Sequence, residues 1–435
     1  MSPPIIGAIG LGVLLILMGG GMPIGFAMAL VGFVGFAYLV KVAGALNLLA
    51  TIPYATVASS VMSMIPMFML MGEIIFRARI TTSLYDSANK WVGHLPGGLA
   101  IATVGACAGF AAACGSSLAP AAMFSKVALP EMRRYKYDYS LATGAIAAGG
   151  TLGILIPPSI ALVVLGILTS QSIGKLLISG IVPGILLASL FILTIYVLCR
   201  LNPRLGPSVA AATWKERLVA LREVWPTLSL FLLVIGGLYL GIFTSTECAA
   251  VGAFGALLIA LIKRQLNWEN FIAAAGSTFE ITSMIFVILI GAYIFGAFLA
   301  ISELPLTLAG LATQSGLSPV IVLVFILFIY LILGSISDII SSVVLTIPIV
   351  YPIIIALGFD PIWFGVIVVI MLEMGLITPP IGLNVFIISG VAKDIPISTV
   401  FRGIVPFGVA MVVCIAILIA FPQIALFLPT LMKGG

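Results

Sequence analysis

The stretch GGTLGILIPPSIALVVLG, Gly149 to Gly166, sets two adjacent prolines behind a run of glycines in a segment apolar enough to lie in a membrane. Proline has no amide donor and clashes with the preceding turn, so Pro157 and Pro158 break or kink any helix containing them. In lipid a break strands backbone polar groups, and it survives only where protein or a watery cavity covers it. The rest of the chain establishes that setting. Of its 435 residues 62% are hydrophobic and 8% charged, and the mean hydropathy of +1.32 is far outside the range of soluble domains. The expected fold is an all-α polytopic membrane protein. Its uncharged runs, such as Pro4 to Val40, Tyr139 to Gly174 and Gly403 to Met432, leave room for roughly ten to twelve crossings at about 20 residues each, some as half-length pieces. The first run lacks a preceding basic segment and a small-residue cleavage site, so it reads as a retained helix.

Composition excludes several classes. The five cysteines, Cys107, Cys114, Cys199, Cys248 and Cys414, show no disulfide or metal spacing. The single histidine, His94, sits in a loop-like KWVGHLPGG and reads as solvated or interfacial. The net charge of +5 resides between apolar spans, where it sets topology and does not imply a nucleic-acid partner. No Walker motif is present, so ATP hydrolysis is not expected.

The most polar segment, Cys199 to Trp225, carries Arg200, Arg204, Lys215, Arg217 and Arg222, and the positive-inside rule makes it cytoplasmic. Its second half predicts a separate surface helix: Thr213 and Glu216 form a capping-box pattern, and Trp214, Leu218, Leu221 and Trp225 share a face. Helices over Pro226 to Phe243 and about Thr246 to Ile262 follow, with Glu247 in the turn between them. A second basic loop, LPEMRRYKYDYS, spans Leu129 to Ser140.

The larger organising feature is a repeat. GILIPP at Gly153 to Pro158 recurs as GLITPP at Gly375 to Pro380, and each is followed by GIVP, at Gly180 and Gly403. Upstream lies a glycine-serine break in each copy, CGSSLAP from Cys114 and GSISDIISS from Gly334. The expected order, break, second arm, full helix, broken helix, thus occurs twice. An odd number of crossings between the copies, about five by the spacing of runs, inverts one relative to the other. Paired interruptions in corresponding halves point to a secondary transporter's midplane site.

Unwound backbone offers carbonyl oxygens to sodium, and half-helix amino termini offer amides and a positive dipole end to an anion. Hydroxyls accompany the breaks: Ser116, Ser117 and Ser159 in the first copy, Ser335, Ser337 and Thr378 in the second, with Asn384 just beyond. Four acids lie in apolar surroundings, Glu73, Glu280, Asp338 and Glu373, and such groups are functional suspects. Arg77, four residues on, is the expected partner of Glu73.

At these residues the chain resembles the large membrane subunit of tripartite ATP-independent periplasmic (TRAP) transporters. The resemblance runs nearly end to end, carried by Gly93 to Met132, Gly149 to Ile160, Thr244 to Leu257 and Gly375 to Ala392. It implies a sodium-driven importer of organic acid anions in the bacterial inner membrane, not an enzyme. Two inverted repeats with re-entrant helical hairpins and broken helices would form a transport domain that moves as an elevator against a scaffold. A periplasmic substrate-binding protein would deliver the solute, and a separate small four-helix membrane subunit would brace the scaffold. Sodium would lie at a first tip, Cys114, Ser116 and Ser117 facing Gly150, Gly153 and Pro157, and at a second, Gly334, Ser335 and Asp338 facing Gly375, Thr378 and Pro379. Solute would lie near Ser117, Pro158, Ser159, Pro380 and Asn384. The implied division is 1–94 scaffold, 95–198 first transport repeat, 199–270 interfacial and central scaffold helices, 271–317 connectors, 318–402 second repeat and 403–435 a last helix.

Two departures stand out: Cys114 where a serine is expected, and Lys136 where the family often has glycine. A binding-protein-independent sodium- or proton-coupled carrier of similar architecture is the nearest alternative. An intramembrane protease would need a second acid or a base beside a serine, and a channel a symmetric filter; neither pattern is found.

Overall fold

Lipid offers backbone groups no partner, so a chain this apolar satisfies them locally, in helices. The structure, a computed structural model, describes residues 2–78 and 80–432, and among them all regular structure is helical. Helices α1 (Pro3–Gly19), α2 (Ile24–Leu39) and α3 (Val42–Val57) precede a 3-10 turn at Ser60–Ser63 and α4 (Met64–Arg77). After α5 (Ile80–Val92) come a first hairpin, α6 (Gly98–Cys114) and α7 (Leu118–Arg134), and a first broken helix, α8 (Tyr139–Thr151) and α9 (Ile160–Thr169). The middle holds α10 (Ile173–Ser179), α11 (Ile181–Leu201), α12 (Trp214–Tyr239), α13 (Ser245–Ile262), α14 (Trp268–Ser302) and α15 (Leu304–Gln314). A second hairpin, α16 (Pro319–Ile336) and α17 (Ile339–Ala356), leads to a second broken helix, α18 (Pro361–Ile377) and α19 (Leu383–Val391), then α20 (Ile397–Ala420) and α21 (Gln423–Leu431). Eight of the described helical stretches are long and apolar enough to cross a membrane, α10 with α11 counting as one.

Contacts between loops sort the helix ends into two faces. On one, the Gly97 amide donates to the Gly206 carbonyl, Val209 to Gly93, and Asp138 to Leu205. Arg133 pairs with Asp394 at 2.7 Å there, and Lys263 donates to the Glu223 carbonyl. On the other, Gln171 donates to the Tyr351 hydroxyl, and the Trp363 indole to the Leu418 carbonyl. The first face gathers the basic loops and is the cytoplasmic one. The first hairpin opens toward it, at Gly98 and Arg134, and the second opens toward the opposite face, at Pro319 and Ala356. The repeats are therefore inverted. Five crossings separate the hairpins: α8 with α9, α10 with α11, α12, α13 and α14.

Four expectations are corrected. The surface helix and the span after it are one helix, α12; Pro226 lies inside it, because a single missing donor does not end a helix already capped by Thr213 and Glu216. No full helix stands between the second hairpin arm and the broken helix, since the arm ends directly before α8 and before α18. Glu247 is not in a turn: it is the third helical residue of α13 and completes a capping box with Thr244. The boundaries drawn at 270 and 402 fall inside α14 and α20, whose starts are set by the Asn267 cap and Pro396. Glu73 and Arg77 pair at 3.1 Å, and Arg77 also donates to Ser277.

Glycines set the closest helix crossings, as expected in lipid. A Cβ on Gly291 would collide with the Gly25 carbonyl between α14 and α2, and one on Gly403 with the Ser140 carbonyl between α20 and α8. Lys136 shows why glycine suits its position. It ends α7 in the left-handed region, φ 58, while its amide donates to the Arg133 carbonyl. A side chain there costs about 1 kcal/mol relative to glycine, so Lys136→Gly is expected to raise the Tm of the purified chain. A lowered Tm would show that the lysine side chain contributes more than its backbone costs.

Candidate solute and ion site

The breaks meet near the centre of the fold because glycine lets backbone approach backbone. Gly115 ends the first arm at φ 59, and a Cβ there would come to 2.8 Å from the Pro158 carbonyl. Gly153 receives the Ser116 carbonyl with no room for a side chain, and Gly150 lies against the Ser117 carbonyl and the Asn384 amide. In the second copy a Cβ on Gly375 would come to 2.5 Å from the Gly334 carbonyl carbon. The Gly382 amide donates to the Ser335 carbonyl at 3.2 Å. Each tip thus seats on the broken helix of its own repeat.

Residue by residue, the expected ligands divide. Ser116 and Ser117 form the first tip with Gly115; Cys114 is the last residue of α6, and its side chain lies outside the described residues. Ser335 and Thr378 donate their hydroxyl protons to the Ile332 and Met374 carbonyls, at 2.7 and 2.6 Å, which leaves each oxygen's lone pairs free for a cation. Asp338 is the N-cap of α17 and accepts from the Ser341 amide at 3.0 Å. Pro157 and Pro158 are buried, whereas Pro379 and Pro380 are exposed. Ser159 caps α9 through the Leu162 amide.

Between the tips lies a cavity of about 250 Å³, bounded by Gly115 to Leu118 from the first tip and Asp338 to Ile340 from the second. Met69, Ile281 and Met284, from α4 and α14, form an apolar wall opposite. Of the expected solute residues Ser117 lines it, and Pro158, Ser159, Pro380 and Asn384 do not. Leu118, Ile160, Ile339 and Leu383, the first helical residues of α7, α9, α17 and α19, all line it, so four helix amino termini converge there. Those of α7 and α19 carry no side-chain cap. Asp338 is the one charged residue on its walls.

Behind the first tip the two repeats touch. Glu373 of α18 is 1% exposed and Asn384 of α19 is 0% exposed. The Ser117 hydroxyl faces Glu373, yet neither carboxylate oxygen, nor either polar atom of the Asn384 amide, has a hydrogen-bond partner. A carboxylate so placed is costly without a cation. The sequence singled out Glu373 but gave no sign of Ser117 as its neighbour, because the two are joined only by folding. The apolar wall carried no sequence signal either.

Residues 11–424 match the family profile described as "Tripartite ATP-independent periplasmic transporter, DctM component". The chain belongs to this family. It is 37% identical over 366 residues to the C4-dicarboxylate TRAP transporter large permease protein DctM of Pseudomonas aeruginosa, covering 84% of this chain and 85% of that one. It is 31% identical over 416 residues to the sialic acid TRAP transporter large permease protein SiaM of Vibrio cholerae, covering 95% and 96%. The fold is similar to that of the YdaH transporter of Alcanivorax borkumensis, with a TM-score of 0.63 and 15% identity over 98% of this chain and all of that one. This TRAP large permease is thus a multi-pass protein of the bacterial inner membrane.

The seating of the tips on glycine is testable. Gly153→Ala and Gly375→Ala are expected to displace a tip and lower uptake at least tenfold, the cost of about 1.4 kcal/mol or more of overpacking. Gly276→Ala, where a Cβ meets nothing within 4 Å, should leave uptake unchanged. Equal uptake by all three would mean that the tips do not need this contact.

Proposed function

We propose that this TRAP permease imports an organic acid anion together with sodium, carrying both in a transport domain that moves as an elevator against a fixed scaffold. The observation that carries the reading is the cavity at the tips, where four helix amino termini converge and no basic side chain lines the wall. Each amino terminus presents roughly half a positive charge. They set positive dipole ends beside the carboxylate of Asp338, itself spent as the cap of α17. An anionic group of the solute would take the uncapped amides of α7 and α19.

The donor set fits sodium. Among the described residues no group of three or more histidine, cysteine or acidic side chains could hold a transition metal. Present instead are hard oxygens: backbone carbonyls at Ser116, Ser117 and Ser335, the Ser117 and Thr378 hydroxyls, and the carboxylates of Asp338 and Glu373. At the first tip sodium would be held by the backbone of Cys114 and Ser116, by Ser117, and by Gly150, Gly153 and Pro157 opposite. At the second it would be held by Gly334, Ser335 and Asp338 with Gly375, Thr378 and Pro379. Bound sodium supplies the positive charge that lets the solute anion and the buried acids share one small volume. Each tip rests on its own broken helix, so ligand binding there would order both.

The apolar wall of Met69, Ile281 and Met284 suits a sliding contact, since it makes no hydrogen bond that movement would have to break. The solute follows from the relatives: the similar DctM and SiaM proteins are named for a C4-dicarboxylate and for sialic acid, both organic acids. The tripartite family description supports two partners, a periplasmic substrate-binding protein and a small membrane subunit on a separate chain.

In proteoliposomes with the cognate partners, Ser117→Ala, Thr378→Ala and Asp338→Asn are each expected to raise the sodium concentration for half-maximal uptake. Unchanged sodium dependence in all three would remove the site. Sodium chloride, compared with potassium or choline chloride at equal ionic strength, should raise the Tm, since a ligand at about 100 times its Kd adds roughly 2.7 kcal/mol. Glu373→Gln should reduce that rise. Concentrative uptake without the binding protein would overturn its assigned role.

A further inference from the structure

Two buried hydrogen-bond donors on the cytoplasmic side have no acceptor. The Nε of Arg217, near the start of α12, and the indole Nε1 of Trp91, at the end of α5, are both shielded from solvent and both unpartnered. They belong to one cluster: the guanidinium lies 5.8 Å from the Trp91 ring and 5.2 Å from the Trp214 ring, and the two rings meet edge to face at 6.2 Å. Cation-π contact fixes the guanidinium plane but accepts none of its protons. Glu216, the adjacent acid, is occupied by the Thr213 amide and hydroxyl in the capping box. Asp86 lies near both Lys90 and Glu223, and among the described residues neither acid forms an ion pair with Arg217.

The depth of the cluster says what the missing acceptor is. α12 has 26 residues and is about 39 Å long, about 9 Å more than the hydrocarbon core. The surplus lies at the basic end, where Lys215, Arg217 and Arg222 are found, so the first turns of the helix sit at the level of lipid phosphates. Beside the orphan donors Trp214, Leu218, Leu221 and Trp225 are exposed and form an apolar face suited to acyl chains. A headgroup bearing its own cation would meet Lys90, Lys215, Arg217 and Arg222, whereas one with a net negative charge would not.

We propose that Arg217, Trp91 and Trp214 form a binding site for the headgroup of an anionic phospholipid, whose phosphodiester oxygens reach the Arg217 guanidinium and the Trp91 indole as the exposed Trp214 ring turns aside, while its chains run down the face of Leu218 and Trp225. The site joins α5 to α12, so an occupied site ties the two elements together at the membrane surface.

Native mass spectrometry of the full chain, with phosphatidylglycerol or phosphatidylcholine added in equal amounts, tests this. Phosphatidylglycerol should be retained in preference, and Arg217→Ala should lower its retention at least about tenfold, the scale of a lost charge-assisted hydrogen bond. Trp91→Phe keeps an aromatic face for the guanidinium while removing the donor, so it guards against misfolding of the arginine variant; it should lower retention severalfold. Equal retention of the two lipids, or retention unchanged in both variants, would overturn the proposal. Displacement of the lipid by millimolar inorganic phosphate would also overturn it, since the site would then be a general anion site with no role for the acyl face.

Discussion

Ser116 rests its carbonyl on Gly153, and Gly334 rests its backbone on Gly375, in contacts that leave no room for a Cβ on either glycine. These approaches explain why a membrane protein tolerates two interrupted helices and two re-entrant tips at its centre. An open helix end in lipid strands amides and carbonyls, each costing several kcal/mol. Here each stranded end faces another, so the unmet groups of hairpin and broken helix are gathered in one protein-covered place and not scattered through the bilayer. Such a gathering sets a few polar groups into the wall of a largely apolar cavity. Its walls carry Ser116, Ser117 and Asp338 among aliphatic side chains, and the remaining polarity comes from the main chain.

A site built from backbone has a particular electrostatic character. Amino termini of α7, α9, α17 and α19 point into the cavity, and the carboxyl ends of α6, α8, α16 and α18 lie at the same breaks. Positive and negative dipole ends therefore stand within one small region, as required to hold an anion and a cation side by side. Side-chain charges are arranged sparingly around this. Asp338 is held by the amino terminus it caps, while Glu373 is buried without such support. Because Ser117 belongs to the first tip and faces Glu373, movement of that tip changes the surroundings of an acid on the second repeat. The two halves of the molecule are thereby joined electrostatically as well as by packing.

Much of this was legible in the chain. Pro157, Pro158, Pro379 and Pro380 announced the breaks, the paired GIVP and glycine-serine landmarks announced the repeat, and the capping pattern at Thr213 and Glu216 formed as read. These features are local: each depends on what a residue does to its own backbone. What escaped was partly local and partly set by tertiary contact. Pro226 reads as a helix boundary, but a helix capped by Thr213 and Glu216 runs through one proline. Glu247 looked like a turn residue until the helix it caps was seen to start at Ser245. The cavity wall of Met69, Ile281 and Met284 is drawn from helices about two hundred residues apart whose composition differs in no way from their lipid-facing neighbours.

The repeats are alike in order but not in state. The first break spans residues 152–159 and is almost wholly buried, with Pro157 and Pro158 covered, whereas the second spans 378–382 and exposes Pro379, Pro380 and Ile381. Inverted repeats with identical conformations would present the same surroundings to both faces of the membrane and favour neither. A difference between them is what gives the site a side. Exchange of the two conformations, the first break opening as the second is covered, would turn the site toward the other face without altering any bond within either repeat. If the transport domain moves as proposed, the asymmetry of the breaks would mark the face that the site addresses, and the apolar wall on α4 and α14 would be the surface against which it moves.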